Sequence, residues 1–129
     1  MEPSIFTRII NGEIPCHKVF EDDRVLAFLD ISPFTEGHTL VVPKQQVDHL
    51  WDLDNELYQH LLYICKLVAD KQRTVLNPGR VAMIVEGFEV PHAHIHVLPA
   101  SEGLEATIAH KISQPTDEAF KAMAKRLAF

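Results

Sequence analysis

Three histidines, His92, His94 and His96, alternate with Ala93, Ile95 and Val97 in the stretch Val90-Pro91-His92-Ala93-His94-Ile95-His96-Val97-Leu98-Pro99. Side chains two apart on a strand share a face, so this spacing predicts a strand with three imidazoles on one side and three apolar residues in the core. Imidazole titrates near neutrality, which lets one ring attack as a nucleophile while a neighbour donates a proton. The same residue types could instead ligate a metal, since His-x-His on a strand is a frequent ligand pair, but no Asp or Glu within the strand completes a set. Asp30 and His38 are the outside residues that could reach in. His17, His49, His60 and His110 have no motif partner and are assigned to surface or packing.

Such a face needs a sheet to carry it. Ser4 can cap a short helix over residues 5–10, which Asn11-Gly12 stops. Residues 18–21 and 24–29 read as two strands about the turn Asp22-Asp23, and Asp30-Ile31-Ser32-Pro33 ends the second. The β-branched run over 37–43, bounded by Gly37 and Pro43, predicts another strand and brings His38 with it. From Asp54 to Leu76 the residues Leu57, Leu61, Ile64, Leu67, Val68 and Val75 recur at helical spacing, ended by Asn77-Pro78-Gly79. Residues 81–85 predict a strand antiparallel to the histidine strand. After Pro99 the chain turns polar, and residues 116–127 read as a capped amphipathic helix with Phe120, Met123 and Leu127 on one side. Whether that helix meets the sheet, a partner or a second copy stays open. The predicted fold class is α+β: an antiparallel sheet with one long helix and short N- and C-terminal helices. We expect one domain over 1–129, with a core over 1–100 and a C-terminal extension over 101–129.

With 129 residues, 47% of them hydrophobic, the chain can bury one core. A formal charge of -6 argues against a polynucleotide partner, though not against a single nucleotide in a local pocket. No apolar run reaches the length of a membrane helix, and Met1-Glu2-Pro3-Ser4 lacks the character of a signal peptide, so a cytoplasmic protein with no membrane partner is expected. Cys16 and Cys65 lack CxxC spacing and are expected as reduced core residues.

With these residues in view, the chain resembles the histidine triad (HIT) family, named for His-φ-His-φ-His-φ-φ with φ apolar. Here that motif is His92-Ala93-His94-Ile95-His96-Val97-Leu98. The resemblance extends through Ile5-Phe6, Glu13-Ile14-Pro15, Phe20-Glu21-Asp22-Asp23, Ala27-Phe28, Asp30-Ile31-Ser32-Pro33 and His38-Thr39-Leu40-Val41-Val42-Pro43-Lys44. It is closest to the Hint-type branch of homodimeric enzymes that hydrolyse nucleoside phosphoramidates and related adenylylated compounds. It implies that His94 attacks the α-phosphorus, His96 donates to a non-bridging oxygen, His92 orients the nucleophile and can pass a proton near the leaving group, and His38 completes the cluster. It also implies that Asp30 accepts from the ribose hydroxyls and that Ile5, Phe6, Ile9, Ile14, Phe28 and Leu40 form a purine pocket. No cofactor is implied.

The sequence departs from the family pattern beside the triad. Where many members carry Asn and Gly-Gln-Ser/Thr, this chain has Val85 and Gly87-Phe88-Glu89. Glu89 is expected to turn its carboxylate away and offer its backbone N–H to the nucleotide, or else to bind a cationic leaving group. Some bacterial relatives hold zinc through Cys-x-x-Cys and a further histidine, but Ser4, Thr7 and Gln46 stand there, so no metal is expected. A dinucleoside polyphosphate hydrolase and a non-catalytic nucleotide-sensing or protein-binding module are the alternatives to a phosphoramidase.

Overall fold

In the computed structural model, which describes residues 1–129, the elements run α1 (Ile5–Ile10), β1 (Lys18–Glu21), β2 (Val25–Leu29), β3 (Thr39–Pro43), α2 (Asn55–Leu76), β4 (Arg80–Ile84), β5 (Ile95–Ala100), α3 (Leu104–Ala109) and α4 (Asp117–Leu127). A single 3₁₀ turn, Leu50–Asp52, precedes α2. The strands form one antiparallel sheet in the order β1-β2-β3-β5-β4. This is the α+β class read from the sequence. No helix is long and apolar enough to cross a membrane.

The two faces of the sheet are covered differently, and period-two alternation sorts the side chains between them. On one face Val25, Ala27, Leu29, Val41, Ile95 and Val97 pack against Leu57, Leu61, Ile64, Cys65 and Val68 of α2 and Phe120, Ala124 and Leu127 of α4. Each fully buried Leu or Ile in this layer contributes roughly 1.5–3 kcal/mol. On the other face Leu26, Phe28, Leu40 and Val42 pack under Phe6 of α1. Central strands β2 and β3 are therefore buried at every position. Caps fix the helix starts: Ser4, Asp54 and Thr116 accept from the N–H groups of Thr7, Leu57 and Ala119. Asn77, left-handed at φ 49°, ends α2.

Gln72 of α2 ties this layer to the strands that carry the histidines. Fully buried, it donates to the carbonyls of Gly37 (3.0 Å) and Val97 (3.1 Å). Cys16 and Cys65 are free thiols, and burial pushes Cys65 up to about 12, which leaves it an inert packing residue.

Two expectations need correction. The histidine strand begins at Ile95, so only His96 lies in the ladder while His92 and His94 precede it. Pro91 and Pro43 lack the N–H groups a longer ladder would use, and the backbone N–H of Ala93 bonds Val47 O at 2.7 Å instead. The extension also holds a helix that went unpredicted, α3, whose cap Gly103 offers no side-chain hydrogen bond and whose residues other than Thr107 are exposed. The question left open for α4 is answered within the chain: it packs on α2, β1 and β2.

Candidate active site

The hydrogen-bond partners of each imidazole decide where its proton sits. His94 Nδ1 lies 2.7 Å from the His92 carbonyl, which can only accept, so Nδ1 carries the hydrogen and Nε2 keeps a free lone pair. The ring is held edge-on to Phe6, with centroids 5.0 Å apart, and to His96 at 5.2 Å. Alternation places this ring, and a main-chain carbonyl two residues back sets its tautomer.

His96 is oriented by a relay that starts at the backbone. The N–H of Phe34 donates to His38 Nδ1 at 3.2 Å, so the proton of His38 is on Nε2. That Nε2 lies 2.9 Å from His96 Nδ1 and donates to it, which leaves His96 with its own proton on Nε2 as an outward donor. Burial lowers His38 from 6.5 to about 4, against the pull of the Asp30 carboxylate 3.6 Å away, and burial with the neighbouring His94 lowers His96. Both rings are thus neutral at pH 7. Donor atoms of Asp30, His38 and His96 fall within 4.8 Å of one another. A cation bound there would force the His38 proton onto Nδ1, facing the Phe34 N–H, so this cluster is organised as a relay.

His92 is fully buried and uses both ring nitrogens. Nε2 donates to the Pro43 carbonyl at 2.8 Å, and Nδ1 accepts from Ser4 Oγ at 2.7 Å. It orients His94 through its carbonyl, and neither ring nitrogen is free to pass a proton to a leaving group, which corrects that part of the expectation. Thr7 Oγ1 donates to Gln46 Oε1 at 2.7 Å, and the Ser4 N–H reaches the same oxygen at 2.8 Å. Two hydroxyls and an amide, already committed to one another, do not match the thiolate and imidazole donors that zinc takes. A structural zinc of the kind held by some relatives does not fit these residues.

Asp30, half-buried at the end of β2, accepts from the Ser32 N–H at 2.8 Å through Oδ1 and turns Oδ2 toward His38. The C-terminal extension braces this turn: Lys111 donates to Ser32 Oγ at 3.0 Å and Gln114 to the Ile31 carbonyl at 3.0 Å. Of the expected apolar pocket, Phe6, Phe28 and Leu40 are buried together, Ile9 and Ile14 are half-buried, and Ile5 is exposed. Glu89 is exposed.

The sequence reading missed the Phe34 N–H, a backbone group with no sequence signal. The sequence offers Ser4 as a cap and Ser4, Thr7 and Gln46 as positions without zinc ligands; the bond from Ser4 to His92, with Thr7 and Gln46 bonded to each other beside it, has no sequence signal. Gln72, a polar residue on an apolar helix face, was a usable signal. His60, expected at the surface or in packing, bonds Asp22 at 2.6 Å.

Comparison with known proteins agrees with this architecture. The family model described as HIT domain matches residues 11–103. An uncharacterized HIT-like protein of Methanocaldococcus jannaschii is 46% identical over 107 residues, which cover 77% of this chain and 80% of that protein. An adenosine 5'-monophosphoramidase of Schizosaccharomyces pombe is 37% identical over 100 residues, covering 74% of this chain and 72% of that one. The crystal structure of a Hit-like protein from Bartonella henselae superposes with a TM-score of 0.84 at 29% identity, covering 96% of this chain and 93% of that chain. Matched over more than half its length by the family model and carrying the triad in the arrangement described, the chain belongs to the HIT family.

Proposed function

We propose that this protein hydrolyses the P–N bond of purine nucleoside phosphoramidates at the α-phosphate through a nucleotidyl-His94 intermediate. The observation that carries this reading is the free Nε2 lone pair of His94, fixed by the 2.7 Å bond from its Nδ1 to the His92 carbonyl. In the first step Nε2 attacks phosphorus in line, a P–N bond to His94 forms, and the bond to the leaving amine breaks. The amine departs with a proton taken from water, since both nitrogens of His92 are engaged. In the second step water attacks phosphorus, His94 leaves as neutral imidazole, and the nucleotide is released. The Nε2–H of His96 donates to a non-bridging oxygen in both steps.

Asp30 has lone pairs left for the ribose hydroxyls, and the apolar set of Ile5, Phe6, Ile9, Ile14, Phe28 and Leu40 takes the purine. The backbone N–H of Glu89 is assigned to the phosphate. We place the protein in the cytoplasm as a homodimer that needs no cofactor. The exposed edge strand β4, where Met83 is 55% exposed, supports a second copy there.

The test is release of a fluorogenic amine from an adenosine phosphoramidate by wild type and His94→Ala, with and without chelator. Chelator-resistant turnover that falls by about three orders of magnitude in the variant, with a nucleotidyl group trapped on the wild-type chain, is the expected result. Equal release by the two proteins refutes the assignment. Binding of AMP without turnover would select the sensing-module reading.

A further inference from the structure

A cleft of about 170 Å³ has His94 in its wall, together with Asp48, Trp51, Val85, Glu86 and Phe88. Its aromatic groups stand in water: Phe88 is 93% exposed and Trp51 71%. Large apolar side chains left this open, next to a reactive group, mark a surface built to receive something. Its carboxylates are Asp48 and Glu86, and His49 lines it beside Asp48. Glu86 lies near enough to His96 for its carboxylate to raise that ring's basicity, and Asp48 has only the exposed imidazole of His49 beside it, at 3.9 Å. Carboxylates and exposed aromatic faces share one preference, since both attract cations, the rings through their quadrupole and the carboxylates through their charge. The residues that replace the family's polar groups fall in the same place, because Val85 and Phe88 line this cleft.

We infer that this cleft is a leaving-group subsite selecting diamines, with one nitrogen bonded to phosphorus and a distal ammonium held among Trp51, Phe88, Asp48 and Glu86. The inference rests on the phosphoramidase reading and narrows it. His94 lines this cleft and Asp30 does not, so with the nucleoside assigned to Asp30 the amine is assigned to the cleft. An apolar linker lies along Val85 and Phe88, and the terminal ammonium meets the acids. A polyphosphate leaving group would press several negative charges against Asp48 and Glu86, so the same subsite disfavours dinucleoside polyphosphates.

The test compares three adenosine 5'-phosphoramidates that differ only in their amine: ammonia, a linear alkylamine, and the diamine of the same length. The diamine is expected to exceed the alkylamine in kcat/KM by about tenfold, with the ratio falling as salt is raised. In the double variant Asp48→Asn, Glu86→Gln the ratio should fall close to one. A wild-type ratio near one, or a ratio unchanged in the double variant, overturns the inference while leaving P–N cleavage intact. If no phosphoramidate is cleaved, the phosphoramidase reading fails, and Trp51, the chain's sole tryptophan, reports on the cleft by itself. Quenching of its emission at lower concentrations of the diamine compound than of the alkylamine compound still supports the subsite. Equal midpoints, no quenching, or emission that tracks protein concentration because a second copy covers the cleft, would each overturn it.

Discussion

Ser4 does two jobs at once, and replacing it with Ala removes both. As the cap of α1 it accepts from the Thr7 N–H at 3.0 Å, and as a donor it reaches His92 Nδ1 at 2.7 Å inside the fold. Loss of an N-cap costs about 1 kcal/mol. Loss of the only close donor to a buried imidazole nitrogen adds roughly 1–3 kcal/mol, because Thr7 Oγ1, the next candidate, is 3.4 Å away and already donates to Gln46. Ser4→Ala should therefore destabilise the protein by about 2–4 kcal/mol. Thr116→Ala isolates the capping part, since Thr116 caps α4 through an exposed bond to the Ala119 N–H at 3.1 Å with no histidine involved. It should cost about 1 kcal/mol. Urea unfolding of both variants, with unchanged m-values, measures the difference directly. Equal losses in the two variants would refute the claim that Ser4 holds His92.

The remaining predictions concern pH, backbone and ribose. Above pH 6.5 His38 is neutral both folded and unfolded; below it the unfolded chain takes up a proton that the folded ring, at about 4, refuses. At ~1.4 kcal/mol per pH unit, stability should drop by roughly 3 kcal/mol between pH 6.5 and 4, with His92 and His96 shifted in the same direction. Thermal unfolding scanned over that range should show the fall in wild type and a shallower one in His38→Gln; parallel curves would count against burial of a neutral ring. Gly37 sits at φ +86° with an added Cβ 2.5 Å from Leu76 Cδ1, so Gly37→Ala should cost about 2–4 kcal/mol in denaturant unfolding, and a neutral result would mean that turn relaxes freely. Asp30→Ala should shrink the preference for ribo- over deoxyribonucleotide substrates by about tenfold in kcat/KM, while an unchanged ratio would remove Asp30 from the ribose site.

Much of the frame was legible because local signals agreed with one another. The spacing of Leu57, Leu61, Ile64 and Val68 between the cap Asp54 and the stop Asn77 predicted α2 to within a residue at each end. The alternation assigned Ala93, Ile95 and Val97 to the core, and all three are buried there. It overstated the strand, because period two describes side-chain direction, whereas pairing also needs backbone donors that Pro43 and Pro91 lack. What could not be read was long-range and polar: Ser4 and His92 are 88 positions apart, and the Phe34 amide that orders the His38–His96 relay has no side chain to betray it. α3 went unpredicted because it has neither a side-chain cap nor a buried stripe.

The relay from the Phe34 amide runs in one direction, since an amide N–H has no second state to offer. His96 therefore presents a hydrogen outward at all times near neutrality and cannot turn round to accept one. Were a phosphorus held against His94 as proposed, its two non-bridging oxygens would meet unequal surroundings, and only one of them would face that fixed donor. A site of this build is handed: replacing one of those oxygens by sulfur creates two mirror-related arrangements at phosphorus, which the protein must treat as different compounds.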